Sequence, residues 1–391
     1  MKSVLFALCF VLFVSCGNND NNGDLGPVST IPEFSNILDI DFENLPNYSN
    51  QSIPSYITRD NTNGNTITDE GATLGRILFY DTNLSSDNTI ACASCHKQSV
   101  AFGDDPQVST GVNGVTGRHS MRLVNARFSD EDQFFWDERA STLEMQTTMP
   151  IQDHVEMGFS GENGDQNFAN LITKLEQTDY YSELFEFAYG TDEITEAKIQ
   201  NALAQFIRSI QSFDSKYDVG RAQANNDGQP FQNFTDEENT GKQLFLAPPQ
   251  FNNQGSRIGG GLGCAGCHQA PEFSIDPNSL NNGVIGTADN SETDFTITRS
   301  PSLRDVVKAD GSANGPFMHT GTNTNFDLLL NHYNDITIGA NNNLDVRLRP
   351  GGNGQQLNLT QDERDAVFAF VKTLAGSDVY TNEKWSNPFI Q

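Results

Sequence analysis

Apolar residues along the chain recur mostly at helical rather than strand spacing. From Ile199 they fall at Ala202, Leu203, Phe206, Ile207, Ile210 and Phe213, a stripe that predicts a helix with one buried face. Thr360 followed by Glu363 forms a capping-box pattern that opens the run DAVFAFVKTLAG, with Gly376 placed to end that helix. Thr235 and Glu238 repeat the signal ahead of GKQLFLA. The stretch NFANLITKLEQTDYYSELFEFAYG reads as two short helices. Strand alternation is sparse, and DFTIT at 294–298 is its best example. Asn-, Gly- and Pro-rich stretches at 221–234, 250–262 and 341–355 read as loops.

The first residues follow another pattern. Lys2 precedes an apolar run from Val4 to Val14 that stops at Ser15-Cys16. The run is shorter than the ~20 residues of a bilayer span and abuts a small residue, so 1–15 reads as an export signal. Val-Ser-Cys before GNNDNNGD resembles a bacterial lipoprotein cleavage site, with Cys16 lipidated and Phe13 where leucine is usual. Plain secretion is the alternative. Residues 16–55, rich in Asn, Asp, Ser and Pro, read as a flexible tether. The expected location is the periplasm or cell envelope, with the lipid as the membrane contact.

Composition narrows the classes. Hydrophobic residues make up 36% and charged residues 19% of 391, enough for two domains with real cores. The junction is expected in DVGRAQANNDGQPFQN, giving domains at 56–225 and 226–391. The 51 acids against 23 bases leave a net charge of -28, which argues against nucleic acid and suits a small basic redox partner. The acids are scattered, so a solvated surface explains most of them.

The cysteines carry the chemistry. Of six, Cys9 and Cys16 lie at the N-terminus and the other four form two Cys-x-x-Cys pairs, ACASCHK and GCAGCHQ. None is left for a disulfide. The pairs are much further apart than the about 15–20 residues of a zinc ribbon, and no βαβ context supports a dithiol redox site. In Cys-x-x-Cys-His both sulfurs fall on one face of a helical turn, with the histidine directly after. Cys92 and Cys95 can hold the vinyl groups of one haem c, and Cys264 and Cys267 those of a second. His96 and His268 then supply the fifth iron ligands.

Further motifs add a family resemblance. GRHSMRLVNARF, FFWDERA, PIQDHVEMG, the second CAGCH, SPSLRDV and GPFMHTG occur in order between about Gly71 and Leu374. In this the chain resembles the bacterial di-haem cytochrome c peroxidases and their MauG-like relatives. The resemblance implies an all-α fold with little β: two cytochrome c-like haem domains packed against each other. It implies reduction of hydrogen peroxide at the first haem, with electrons passed through the second. The donor would be a c-type cytochrome, a cupredoxin or an organic or protein reductant, and a homodimer is a common form.

The resemblance also implies roles for single residues. Glu156 matches the distal glutamate that moves a proton between peroxide oxygens, and Gln146 the distal glutamine. Trp136 matches the tryptophan between the haems, an electron relay. Where peroxidases that need reductive activation carry a capping histidine, the loop 97–118 has none. The matching position falls near Gly111, so an open first iron is expected, with His119 as a displaced cap the alternative. At the second haem the distal ligand falls on Tyr333, as in MauG-like enzymes, where peroxidases have methionine; His332 and Met318 compete. His319 matches a family histidine near this haem, with hydrogen bonding its expected task. A MauG-like oxidase acting on a protein or small organic substrate is therefore an alternative, and a non-catalytic electron carrier another. The family's calcium ion would use the carbonyls of Asn314 and Pro316. Its asparagine position, however, holds His119, and calcium prefers oxygen.

Overall fold

A computed structural model describes residue 32 and residues 34–390 apart from 63, 131–132 and 290–291. The expected export signal and Cys16 lie outside the described residues. The regular elements are mainly helices, with three small antiparallel hairpins. Among the described residues no helix is long and apolar enough to cross a membrane.

Helices α1 (Asp69–Tyr80), α2 (Cys92–Cys95), α3 (Leu143–Thr148), α4 (Phe168–Glu176), α5 (Tyr181–Tyr189) and α6 (Glu196–Ser209) come first. Helices α7 (Lys216–Arg221), α8 (Asp236–Leu246), α9 (Phe326–Asn334) and α10 (Gln361–Lys372) follow. The Thr235 and Thr360 capping boxes open α8 and α10 as their spacing predicts. Helix α10 stops at Lys372 with Thr373 as cap, ahead of Gly376. Residues 294–298 form no strand; Asp294 and Thr296 turn back on each other through side-chain bonds to Asp294 Oδ1. A short hairpin missed in the sequence joins Pro249–Phe251 to Arg257–Gly260, nearly all of it in the stretch 250–262 read as loop.

Among the described residues two large apolar cores form, beside a small cluster of Ile336, Leu344 and Leu348. In the first, Leu74, Ile77 and Leu78 of α1 meet Leu203, Phe206 and Ile207 of α6. In the second, Phe245 of α8 meets Val367, Phe370 and Val371 of α10, with Leu330 of α9 and Phe273. Each core is closed by the same device. A Cβ on Gly75 of α1 would sit 2.0 Å from the Ala202 carbonyl oxygen, and one on Gly241 of α8 would sit 1.8 Å from that of Ala366. Both crossings are so close that only glycine fits.

Three boundaries differ from the sequence reading. Residues 34–55 are not a tether: Leu38, Phe42 and Tyr48 are buried in the first core, and Tyr48 and Ser49 donate their backbone N–H groups to Asp69. Asn-rich composition hid these three anchors. Tyr217 belongs to the second core, so the change of core falls before α7 rather than near 225. Val379 and Trp385, near the C-terminus, return to the first core, where Trp385 is buried against Ser209.

Candidate functional site

The first cavity, about 520 Å³, is lined by Cys92, Cys95, His96, Gln146, Glu156 and Trp136 among others. The turn of α2 places both sulfurs, and burial pushes the Cys92 thiol up to about 12 and the Cys95 thiol up to about 11. Such thiols are poor nucleophiles and poor redox switches, which favours a thioether role. His96 sits in an apolar surround that lowers its pKa, and its Nδ1 lies 3.1 Å from the Phe102 carbonyl oxygen. A carbonyl can only accept, so Nδ1 carries the proton and the Nε2 lone pair is left for a metal.

Glu156 stands on a tight turn in which Asp153 Oδ1 accepts the N–H groups of Val155 and Glu156. Burial, helped by the negative charge of Asp153, raises its carboxyl to about 7, while Arg139 opposes the shift. Gln146 is carried on α3, whose N-terminus is capped by Thr142. Gly111 packs directly onto this turn. A Cβ there would meet the Val155 carbonyl oxygen at 2.1 Å and the Glu156 Cα at 2.8 Å. No side chain can project from position 111 into the cavity.

The second cavity, about 130 Å³, is narrower and is lined by Cys264, His268, Asn282, Met318, Tyr333 and Trp136 among others. Burial raises Cys264 to about 12 and Cys267 to about 11, and lowers His268 to about 4. His268 Nδ1 lies 3.0 Å from the Pro301 carbonyl oxygen, the same arrangement as at His96. Burial also raises the Tyr333 hydroxyl well above its usual range. As a metal ligand Tyr333 must lose that proton, and only a cation within bonding distance offsets the cost. His332 points elsewhere, donating from Nε2 to the Asn282 carbonyl oxygen at 2.9 Å. Met318 and Tyr333 share the second cavity, so the cavity itself does not choose between them.

One wall serves both cavities. His119 to Arg122, Trp136 and Arg299 line each of them. Trp136 donates from Nε1 to the His119 carbonyl oxygen at 2.8 Å, and its ring meets that of His319 edge-on at 6.1 Å. Its own carbonyl accepts from Thr298 and Arg299 at 3.1 Å each. His319 is bonded through Nε2 to the Gly286 carbonyl oxygen at 2.9 Å. His119 is tied by Nδ1 to the carbonyls of Pro106 and Gln107 at 3.2 Å, and burial beside Arg122 lowers its pKa to about 4.

These residues suit two haem c groups: paired inert thiols, neutral histidines with Nε2 free, and polar groups facing them. Among the described residues no three His, Cys, Asp or Glu side chains are arranged to hold a bare metal ion. One of the two expected calcium donors is already engaged. The Asn314 carbonyl oxygen accepts from the Arg122 guanidinium at 2.8 Å, so a fixed cation already faces that oxygen. Asn282 and Arg122 escaped the sequence reading. Asn282 is 51 residues from Tyr333, and neither residue lies in a motif position with an assigned task.

A family model described as di-haem cytochrome c peroxidase matches residues 69–226. The methylamine utilization protein MauG of Methylophilus methylotrophus is 28% identical over 320 residues, covering 80% of this chain and 84% of that protein. Cytochrome c551 peroxidase of Nitrosomonas europaea is 26% identical over 316 residues, covering 78% and 80%. A solved MauG-like protein associated with microbial copper homeostasis superposes with a TM-score of 0.65 at 25% identity, covering 87% of this chain and 99% of that one. Residues 69–226 thus match the di-haem cytochrome c peroxidase family, and most of the chain is similar to MauG and cytochrome c peroxidases.

Proposed function

We propose that the protein reduces hydrogen peroxide to water at its first cavity, with electrons arriving through the second. The observation that carries this reading is Glu156, held at about 7 in the cavity that also presents Gln146 and His96. Cys92, Cys95 and His96 would hold one haem c, and Cys264, Cys267 and His268 the other, with Tyr333 opposite. When bound, haem would supply the iron redox chemistry that delivers electrons to peroxide. Ionised Glu156 accepts the proton of the near peroxide oxygen and returns it to the far oxygen, which leaves as water. The Gln146 amide holds the peroxide by hydrogen bonding. Trp136, in the shared wall, relays electrons between the two sites. The sum is one peroxide, two electrons and two protons to two waters.

The reading extends to the whole protein. The chain would comprise two cytochrome c-like haem domains, exported and tethered by lipid at Cys16. A c-type cytochrome or cupredoxin would dock on its acidic surface. Tyr333 favours a second reading, in which peroxide oxidises a protein or small organic substrate as a MauG-like activity. A substrate screen separates the two.

Low-temperature EPR of the oxidised, haem-loaded protein tests the proposal. A high-spin ferric signal beside a low-spin one is expected. Two low-spin signals would mean a capped first iron and would overturn the open site.

A further inference from the structure

Two donors of opposite chemical character line the second cavity and meet the same amide. Asn282 Nδ2 donates to Met318 Sδ at 3.2 Å and to the Tyr333 hydroxyl at 3.5 Å. The amide cannot turn away. Its Oδ1 accepts the Val284 N–H at 3.0 Å, and its backbone carbonyl holds His332 Nε2 at 2.9 Å. The Tyr333 backbone is fixed in turn by Gln355 Nε2 at 2.7 Å. Met318 is buried and adopts φ 65, a left-handed conformation unfavourable for a long side chain and common at functional positions. Phenolate oxygen is a hard donor that favours ferric iron, and thioether sulfur a soft one that favours ferrous iron.

We propose that the second haem exchanges its distal ligand with oxidation state, Tyr333 binding the ferric iron and Met318 the ferrous iron, with Asn282 positioning both. The inference rests on the reading of Tyr333 as the ligand of the oxidised protein. On uptake of one electron from a one-electron carrier, the bond from iron to the Tyr333 oxygen breaks. The phenolate takes one proton from solvent, and its hydroxyl returns to Asn282 Nδ2. Met318 Sδ then forms the new bond through a lone pair, with none of its own bonds broken. Oxidation reverses each step. The exchange would let one site store oxidising equivalents with oxygen bound and accept electrons with sulfur bound.

The test uses the haem-loaded full chain as wild type, Tyr333→Phe and Met318→Leu, the latter conserving volume. Each is measured oxidised and dithionite-reduced by magnetic circular dichroism and by protein-film voltammetry. In the wild type the second haem should be six-coordinate and low-spin in both states, with a peak separation that widens with scan rate. Met318→Leu should leave the oxidised spectrum unchanged, turn the reduced second haem five-coordinate and high-spin, and abolish the widening. Selenomethionine-labelled wild type should show iron–selenium scattering in X-ray absorption only when reduced, a readout that needs no substitution. If Tyr333→Phe alters the oxidised spectrum but Met318→Leu leaves the reduced one unchanged and no iron–selenium scattering appears, the exchange is wrong and the ligand reading stands. If Tyr333→Phe leaves the oxidised spectrum unchanged, both fall.

Discussion

Glu156 shows how surroundings change the chemistry of one residue. On a surface its carboxyl would be ionised and unremarkable. Here burial and Asp153 hold it at about 7, where it can both take and give a proton near neutral pH. Replacing it in Glu156→Gln keeps the shape but removes the group proposed to shuttle the proton. Peroxide turnover should fall about 10²–10⁴-fold, with the haem spectrum unchanged. The pH profile gives the sign. The ionised form is the base, so below about 7 the wild-type rate should rise with pH and then level off, a limb absent from the glutamine variant. Stopped-flow measurement of peroxide reaction across pH checks both. Arg122 makes a separate residue-scale prediction. Its guanidinium faces the carbonyl of Asn314, and although burial lowers its pKa to about 10 it stays charged at neutral pH. Chelation with EDTA should therefore change neither spectrum nor activity, and metal analysis of desalted protein should find no calcium.

At the scale of elements, helix crossings without side chains set the geometry of both cores. Gly75 in α1 and Gly241 in α8 each meet a backbone carbonyl of the partner helix. Gly75→Ala or Gly241→Ala must push the helices apart, an overpacking cost of about 1–3 kcal/mol. Urea titration should show a lower midpoint for each, and the two effects should add because the sites lie in separate cores. The hairpin of Thr110–Gly111 and Gly114–Val115 does a different task. Its Gly111 lies against the Glu156 turn, so Gly111→Val should displace Glu156 and lower turnover while leaving haem attachment intact.

For the whole molecule, a buried ionic contact ties distant segments together. Arg304, fully buried, donates to Asp218 Oδ2 at 2.9 Å and to the Pro271 carbonyl oxygen at 2.9 Å. Asn125, from the first half of the chain, reaches Glu272 at 3.1 Å beside it. Arg304→Met would strand the Asp218 carboxylate in the interior, a loss of about 3–5 kcal/mol. A fall in thermal midpoint measured by calorimetry, larger than for any of the glycine variants, is the expected result.

Local signals were readable without a structure because they depend on neighbours in the chain. The capping boxes at Thr235 and Thr360 and the stripe of α6 need only a few consecutive residues. The two Cys-x-x-Cys-His units are equally local, since one turn holds sulfur, sulfur and imidazole together. The sequence by itself therefore determined a mostly helical chain with two Cys-x-x-Cys-His units, and ordered motifs pointed to Glu156, Gln146 and Trp136. It misread the segment at 34–55, where composition masked Leu38, Phe42 and Tyr48, and it placed the change of core after Tyr217 instead of before it. Only the tertiary structure decided which groups face one another across long chain separations. Arg122 meets Asn314 across 192 residues, and Asn282 meets Tyr333 across 51 and Met318 across 36. Such contacts leave no periodicity or spacing in the chain, because they are set by how packed helices carry loops into a common space.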